Sequence, residues 1–176
     1  MKQLNYFYMV LMILCTNLAF VSCSDNESEP KFVIDPALGA EGWVVADYIG
    51  TTMTDLDSRG MIMRIDTTYN QSITLEKDSL GQLRMIYRDW TDHEGMSYGD
   101  FCIVPVNATI TTEGVVISGE CADSLYKSGV GYPAELRVEG TVNGEQKAAE
   151  FTLKVNLAVS PVMTLKFTLS YEGTAN

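Results

Sequence analysis

The chain has 176 residues, 23 of them acidic against 12 basic, with one histidine and a formal charge of −11. So acidic a protein is repelled as a whole by phosphate backbones and by anionic lipid headgroups, which sets nucleic acid aside as a partner. The length suits one domain and not two, and four cysteines with no Cys-x-x-Cys spacing provide neither a zinc ribbon nor a redox motif.

Residues 1–22 contain one charge, Lys2, and no acid. Residues 6–14 read Tyr-Phe-Tyr-Met-Val-Leu-Met-Ile-Leu. A short apolar run behind a basic residue is the pattern of a secretory signal, and it falls short of the ~20 residues a membrane-spanning helix needs. Val21, Ser22 and Cys23 follow, and then Ser24, Asp25, Asn26 and Glu27 turn the chain abruptly polar. This junction resembles the bacterial lipoprotein signal, with Phe20 where leucine is usual. The resemblance implies cleavage before Cys23, a diacylglycerol on its sulfur and acylation of the freed amine. More than one acyl chain makes anchoring stable. The acidic run resembles the export tag of surface lipoproteins of Bacteroidetes, which implies an outer-membrane, cell-surface location. Residues 1–22 thus read as signal peptide, 23–39 as lipidated cysteine plus acidic linker, and 40–176 as the folded domain. The linker composition cannot support a packed core.

From residue 40 onward the chain alternates apolar and polar residues with period two, the mark of half-buried strands. Residues 43–49 open the series. Residues 61–67 put Met61, Met63 and Ile65 on one face, 72–75 form a short strand, and 82–88 align Leu83, Met85 and Tyr87. Residues 101–110 and 115–119 flank a Thr-Thr-Glu-Gly turn. Residues 122–132 read as a short helix or long loop. Asn143-Gly144 calls for a two-residue type I′ hairpin, which would pair Val138 with Ala149, Leu136 with Phe151 and Arg137 with Glu150. A second hairpin through residues 158–162 would pair Leu157 with Met163 and Leu153 with Phe167. One face stays apolar across all three strands, as in an antiparallel meander with one buried side. The expectation is an all-β fold, an antiparallel up-and-down barrel of about eight strands, with a β-sandwich as the alternative.

Residues 47–51 as an opening strand, the 101–119 hairpin, and Val138-Glu-Gly-Thr-Val-Asn-Gly144 with its return through Val155 resemble the calycin-like (lipocalin-like) β-barrel lipoproteins of Bacteroidales. The resemblance spans roughly residues 40–173. The lipocalin Gly-x-Trp is not matched, since Gly42 directly precedes Trp43. It implies a barrel and no enzymatic activity.

Chemistry is sparse. Asp55, Asp57, Gly60 and Asp66 have the spacing of a calcium loop, but Arg59 occupies a position that must supply an oxygen ligand. Residues 89–100 hold the single histidine, His93, with Trp90 and four acids. The two side chains are candidate loop contacts for a protein or glycan, since barrel-end loops carry function more often than strands. No serine sits in a nucleophile elbow and no second histidine offers a base, so no catalytic residue, metal or cofactor is assigned. The inward stripe includes Met63, Met85, Tyr87, Phe151, Phe167 and Leu169. These would either line a site for an apolar or amphipathic ligand or fill the barrel as core. Cys102 and Cys121 read either as a disulfide, permitted by export, or as two small buried residues on adjacent strands.

Overall fold

The computed structural model describes residues 34, 37–58, 60–91, 97–127 and 129–176, so the leader, Cys23, nearly all of the linker and His93 lie outside the described residues. Phe32–Asn176 form one compact unit. Among the described residues its core cluster runs from Ile34 to Tyr171.

Among the described residues a short helix, α1 (Gly39–Val44), is followed by nine strands: β1 (Ala46–Ser58), β2 (Met61–Lys77), β3 (Leu83–Tyr87), β4 (Phe101–Ile103), β5 (Val106–Ile110), β6 (Val115–Lys127), β7 (Val130–Asn143), β8 (Ala148–Ser160) and β9 (Met163–Ala175). They form a single sheet in the order β4-β3-β2-β1-β9-β8-β7-β6-β5. Every pairing is antiparallel, and β1 pairs with β9 as well as with β2. The fold is therefore all-β, an up-and-down and nearly closed barrel. One sheet wrapped on itself removes most of the exposed edge that an open meander would carry. The remaining seam lies where the chain breaks between β4 and β5 at Pro105, which has no N–H to donate. Across it the Cys121 thiol of β6 donates to the Cys102 carbonyl at 3.3 Å.

Four sequence expectations need correction. Trp43 and Val44 belong to α1, not to a strand. The helix turns Val44 fully inward, and the Tyr48 hydroxyl donates to its carbonyl at 2.6 Å. Trp43 meets the Lys147 ammonium at 5.5 Å. These tertiary contacts outweigh the local β preference. The two segments 61–67 and 72–75 are one strand, β2, whose pairing with β1 slips between Gly50 and Thr52 and again between Thr54 and Asp55. Bulges of this kind bend a long strand around a barrel without ending it. Residues 122–132 are neither helix nor long loop. They complete the β6–β7 hairpin, with Leu125 opposite Tyr132 and Tyr126 opposite Gly131.

The fourth correction concerns register. Asn143 pairs with Ala148, and residues 144–147 form the loop, closed by the Lys147 N–H on the Gly144 carbonyl at 3.1 Å. A two-residue turn would have set Glu145 opposite Val142 and Lys147 opposite Gly140 on the inward face. The longer loop brings Ala149 and Phe151 there instead. Val138 then faces Leu153, Leu136 faces Val155, and Arg137 faces Lys154 while pairing with Glu139 of its own strand. In the next hairpin Leu157 faces Leu165, Leu153 faces Leu169 and Phe151 faces Tyr171. The shifts are four and two residues. Both are even, so each side chain keeps its expected face.

Candidate functional site

Five of the six expected lining residues, Met85, Tyr87, Phe151, Phe167 and Leu169, point inward and are buried. All five belong to one hydrophobic core cluster. Tyr87 stacks on Phe101 at 5.1 Å and donates to Thr52 Oγ1 at 2.9 Å. Phe151 stacks on Tyr171 and meets Tyr48 edge-on, both at 5.7 Å. Burial pushes the phenols of Tyr48, Tyr87 and Tyr171 well above the ordinary tyrosine range. The Tyr171 hydroxyl is buried with no partner among the described residues.

Met63 departs from expectation. It is 47% exposed, opposite Leu56 near the β1–β2 turn. β3 pairs with Ile73 to Lys77 of β2, so among the described residues no strand on the other side of the first half of β2 helps to bury Met61 and Met63.

Trp90 also departs, in the opposite direction: it is core, not an exposed loop contact, and only 2% exposed. The chain leaves β3, turns at Asp89 with φ +45°, and folds Trp90 inward. The Trp90 N–H donates to the Gly99 carbonyl at 3.1 Å, and the Tyr98 N–H donates to the Trp90 carbonyl at 2.7 Å. The indole stacks on Tyr98 at 4.8 Å and meets Phe167 at 5.2 Å and Phe101 at 6.0 Å edge-on. Its Nε1–H is buried with no partner among the described residues. At the base of the loop the Asp100 carboxylate accepts from the Asp89 N–H at 2.8 Å and from Arg88 at 3.0 Å, which holds its pKa below the usual range. The readable signal for this burial was two large aromatics, Trp90 and Tyr98, in an otherwise polar stretch. Such rings seldom stay in water when an apolar surface is within reach.

Above the Trp90–Phe167 contact the inward apolar rows continue. Along β9 burial falls from Phe167 through half-buried Leu165 to exposed Met163, and along β7 from Leu136 through half-buried Tyr132 to exposed Val130. Leu56, Ile65 and Val159 are likewise only partly buried against the core. Together these strands wall an apolar mouth at one end of the barrel. A groove of about 620 Å³ also lies along β6, β7 and β8, lined by Glu120, Cys121, Glu135, Arg137 and Lys154 among others. Arg137 and Glu135 already have partners in Glu139 and Asn156.

Cys102 and Cys121 are free thiols, half-buried at the seam, and burial raises the pKa of both. The would-be calcium acids serve the hairpin: Arg64 pairs with Asp55, and Asp57 accepts from the Gly60 N–H at 2.8 Å. Among the described residues no cluster of three or more His, Cys, Asp or Glu is placed to hold a metal. No family model, curated protein or solved structure matches the chain.

Proposed function

We propose that the chain is a non-enzymatic lipoprotein, anchored through Cys23 in the outer membrane and displayed at the cell surface. In this reading its barrel, calycin-like in strand order, binds an apolar or amphipathic small molecule at the mouth above Trp90. The observation that carries the reading is the set of inward apolar rows that run past the last packed aromatics and end unburied. Apolar rows beside an indole N–H that is buried with no partner among the described residues suit a ligand with an apolar body and a hydrogen-bond acceptor. Protein taken from membranes under mild detergent should carry a bound molecule in native mass spectrometry. In a Trp43→Phe background the remaining tryptophan emission, from Trp90, should respond saturably to an added long-chain fatty acid. An empty protein with no saturable response sinks the reading.

A second reading has the barrel-end loops contact a protein or glycan, with no small ligand, as a protease inhibitor does. The packing of Met85, Tyr87, Phe151 and Leu169 favours it by leaving the deep interior to the core. Deletion of residues 92–96, which leaves Trp90 and Tyr98 in the core, would then abolish partner capture.

A further inference from the structure

In a strand that serves a core, one face is apolar and the other polar. At three hairpin ends both faces are apolar. At the β1–β2 end Met61 and Met63 are 67% and 47% exposed, and Ile62 between them is 76% exposed. At the β8–β9 end Val162 is 96% exposed and Met163 52%. At the β6–β7 end Tyr126 and Val130 are 61% and 53% exposed. The register puts all three ends on the same side of the barrel: Leu56 faces Phe167, Leu157 faces Leu165, and Ala134 faces Leu157. The strand order β2-β1-β9-β8-β7-β6 makes them one continuous arc. Single exposed apolar residues are ordinary; seven on three neighbouring turns form a patch that marks an interaction site.

The charge of these ends opposes that of the whole chain. Residues 58–63, 126–131 and 160–164 contain no Asp or Glu, and their charges are Arg59 and Lys127, in a chain of net −11. The acid nearest this arc, Asp57, stands opposite Ile62 and is flanked on its other side by Lys166, and further down Arg64 pairs with Asp55.

We infer that this arc docks onto an anionic lipid surface. Apolar turn residues enter the headgroup–acyl boundary, as on interfacial elements whose apolar side sinks in while basic groups meet anionic headgroups. Tyr126 has the amphipathic ring favoured at headgroup level. The acidic remainder of the barrel is repelled by the same surface, so the molecule approaches ends first. Three separate turns with apolar side chains on both faces suit a fluid boundary better than a flat protein partner. Docking in this way turns the mouth toward the bilayer, and it does not depend on the mouth holding a ligand.

The test uses residues 24–176, which contain the whole compact unit and its core, with vesicles of phosphatidylcholine alone or mixed equally with phosphatidylglycerol. The protein should sediment with the anionic vesicles, bind the neutral ones more weakly, and detach as salt screens the charges. Ile62→Asp with Val162→Asp should lower binding about tenfold or more, with an unchanged circular dichroism spectrum. Val162→Asp alone, at the most exposed of these positions, serves if the double variant does not fold. Trp90→Phe, which probes the ligand reading, should leave vesicle binding intact. The inference is overturned by no binding to anionic vesicles, by equal binding to both kinds, or by binding indifferent to the substitutions. A dimer that the substitutions dissolve, in protein that ignores vesicles, assigns the arc to a second copy and overturns it as well.

Discussion

Replacing Trp90 with alanine removes the ring that joins the 89–100 loop to the barrel. A buried tryptophan withdraws about 150–250 Å² from water. At about 25 cal/mol per Å² that is roughly 4–6 kcal/mol, an upper bound because an unfolded chain already buries part of this area. The ring contacts with Tyr98, Phe167 and Phe101 are lost along with it, while partial collapse of the loop returns some of the energy. The expected cost is about 3–5 kcal/mol, the usual range for large aromatics cut to alanine in cores. Phenylalanine at the same place keeps an aromatic face and removes an N–H buried with no partner among the described residues, a state that costs about 1–3 kcal/mol. Trp90→Phe should therefore lose less than about 2 kcal/mol. Urea unfolding followed by circular dichroism measures both as shifts in midpoint at unchanged slope. A loss below about 1 kcal/mol for Trp90→Ala would show that the indole is not part of the core. Equal losses for the two variants would show that the N–H has a partner after all.

Three more outcomes follow from the same geometry. An added Cβ at Gly50 would stand 2.1 Å from the Glu172 carbonyl oxygen and 2.6 Å from Gly173 Cα, on the β1–β9 pairing that closes the barrel. Gly50→Ala should cost about 3 kcal/mol or more in thermal or urea unfolding, and a change within about 0.5 kcal/mol refutes that close approach. The upward-shifted phenols of Tyr48, Tyr87 and Tyr171 hold their protons more tightly in the folded state. Their contribution is complete below the unfolded tyrosine value of about 10 and is lost as pH rises toward the folded values. Absorbance at alkaline pH should show these phenols ionising only together with loss of circular dichroism, and full ionisation of a still-folded protein would contradict it. Cys121→Ala removes the thiol that donates across the seam to Cys102. It should cost about 1 kcal/mol, with Cys121→Ser recovering part by restoring a donor, and serine no better than alanine would deny the hydrogen bond a role.

Much of the barrel was legible in the sequence because a strand's period of two assigns faces without reference to its neighbours. Phe151, Leu153, Phe167 and Leu169 were placed inward correctly even though their partners were misassigned. The registers were not legible at Asn143-Gly144, where the local turn signal pointed to two residues. The core preferred Ala149 and Phe151 over Glu145 and Lys147, and took four. A turn motif reports only local backbone preference, whereas the loop used depends on what the opposite strand must bury.

The mouth was read least well, for the same reason. Met63 and Trp90 both depart from expectation, the methionine left uncovered and the indole buried. Alternation says which side of its strand a residue occupies, but not whether another strand extends far enough to cover it. From sequence alone came the strand character, the faces and the acidic composition. The tertiary structure decided barrel closure, the length of each hairpin beyond its neighbours and the burial of Trp90. Those depend on contacts between residues far apart in the chain, which no local pattern encodes.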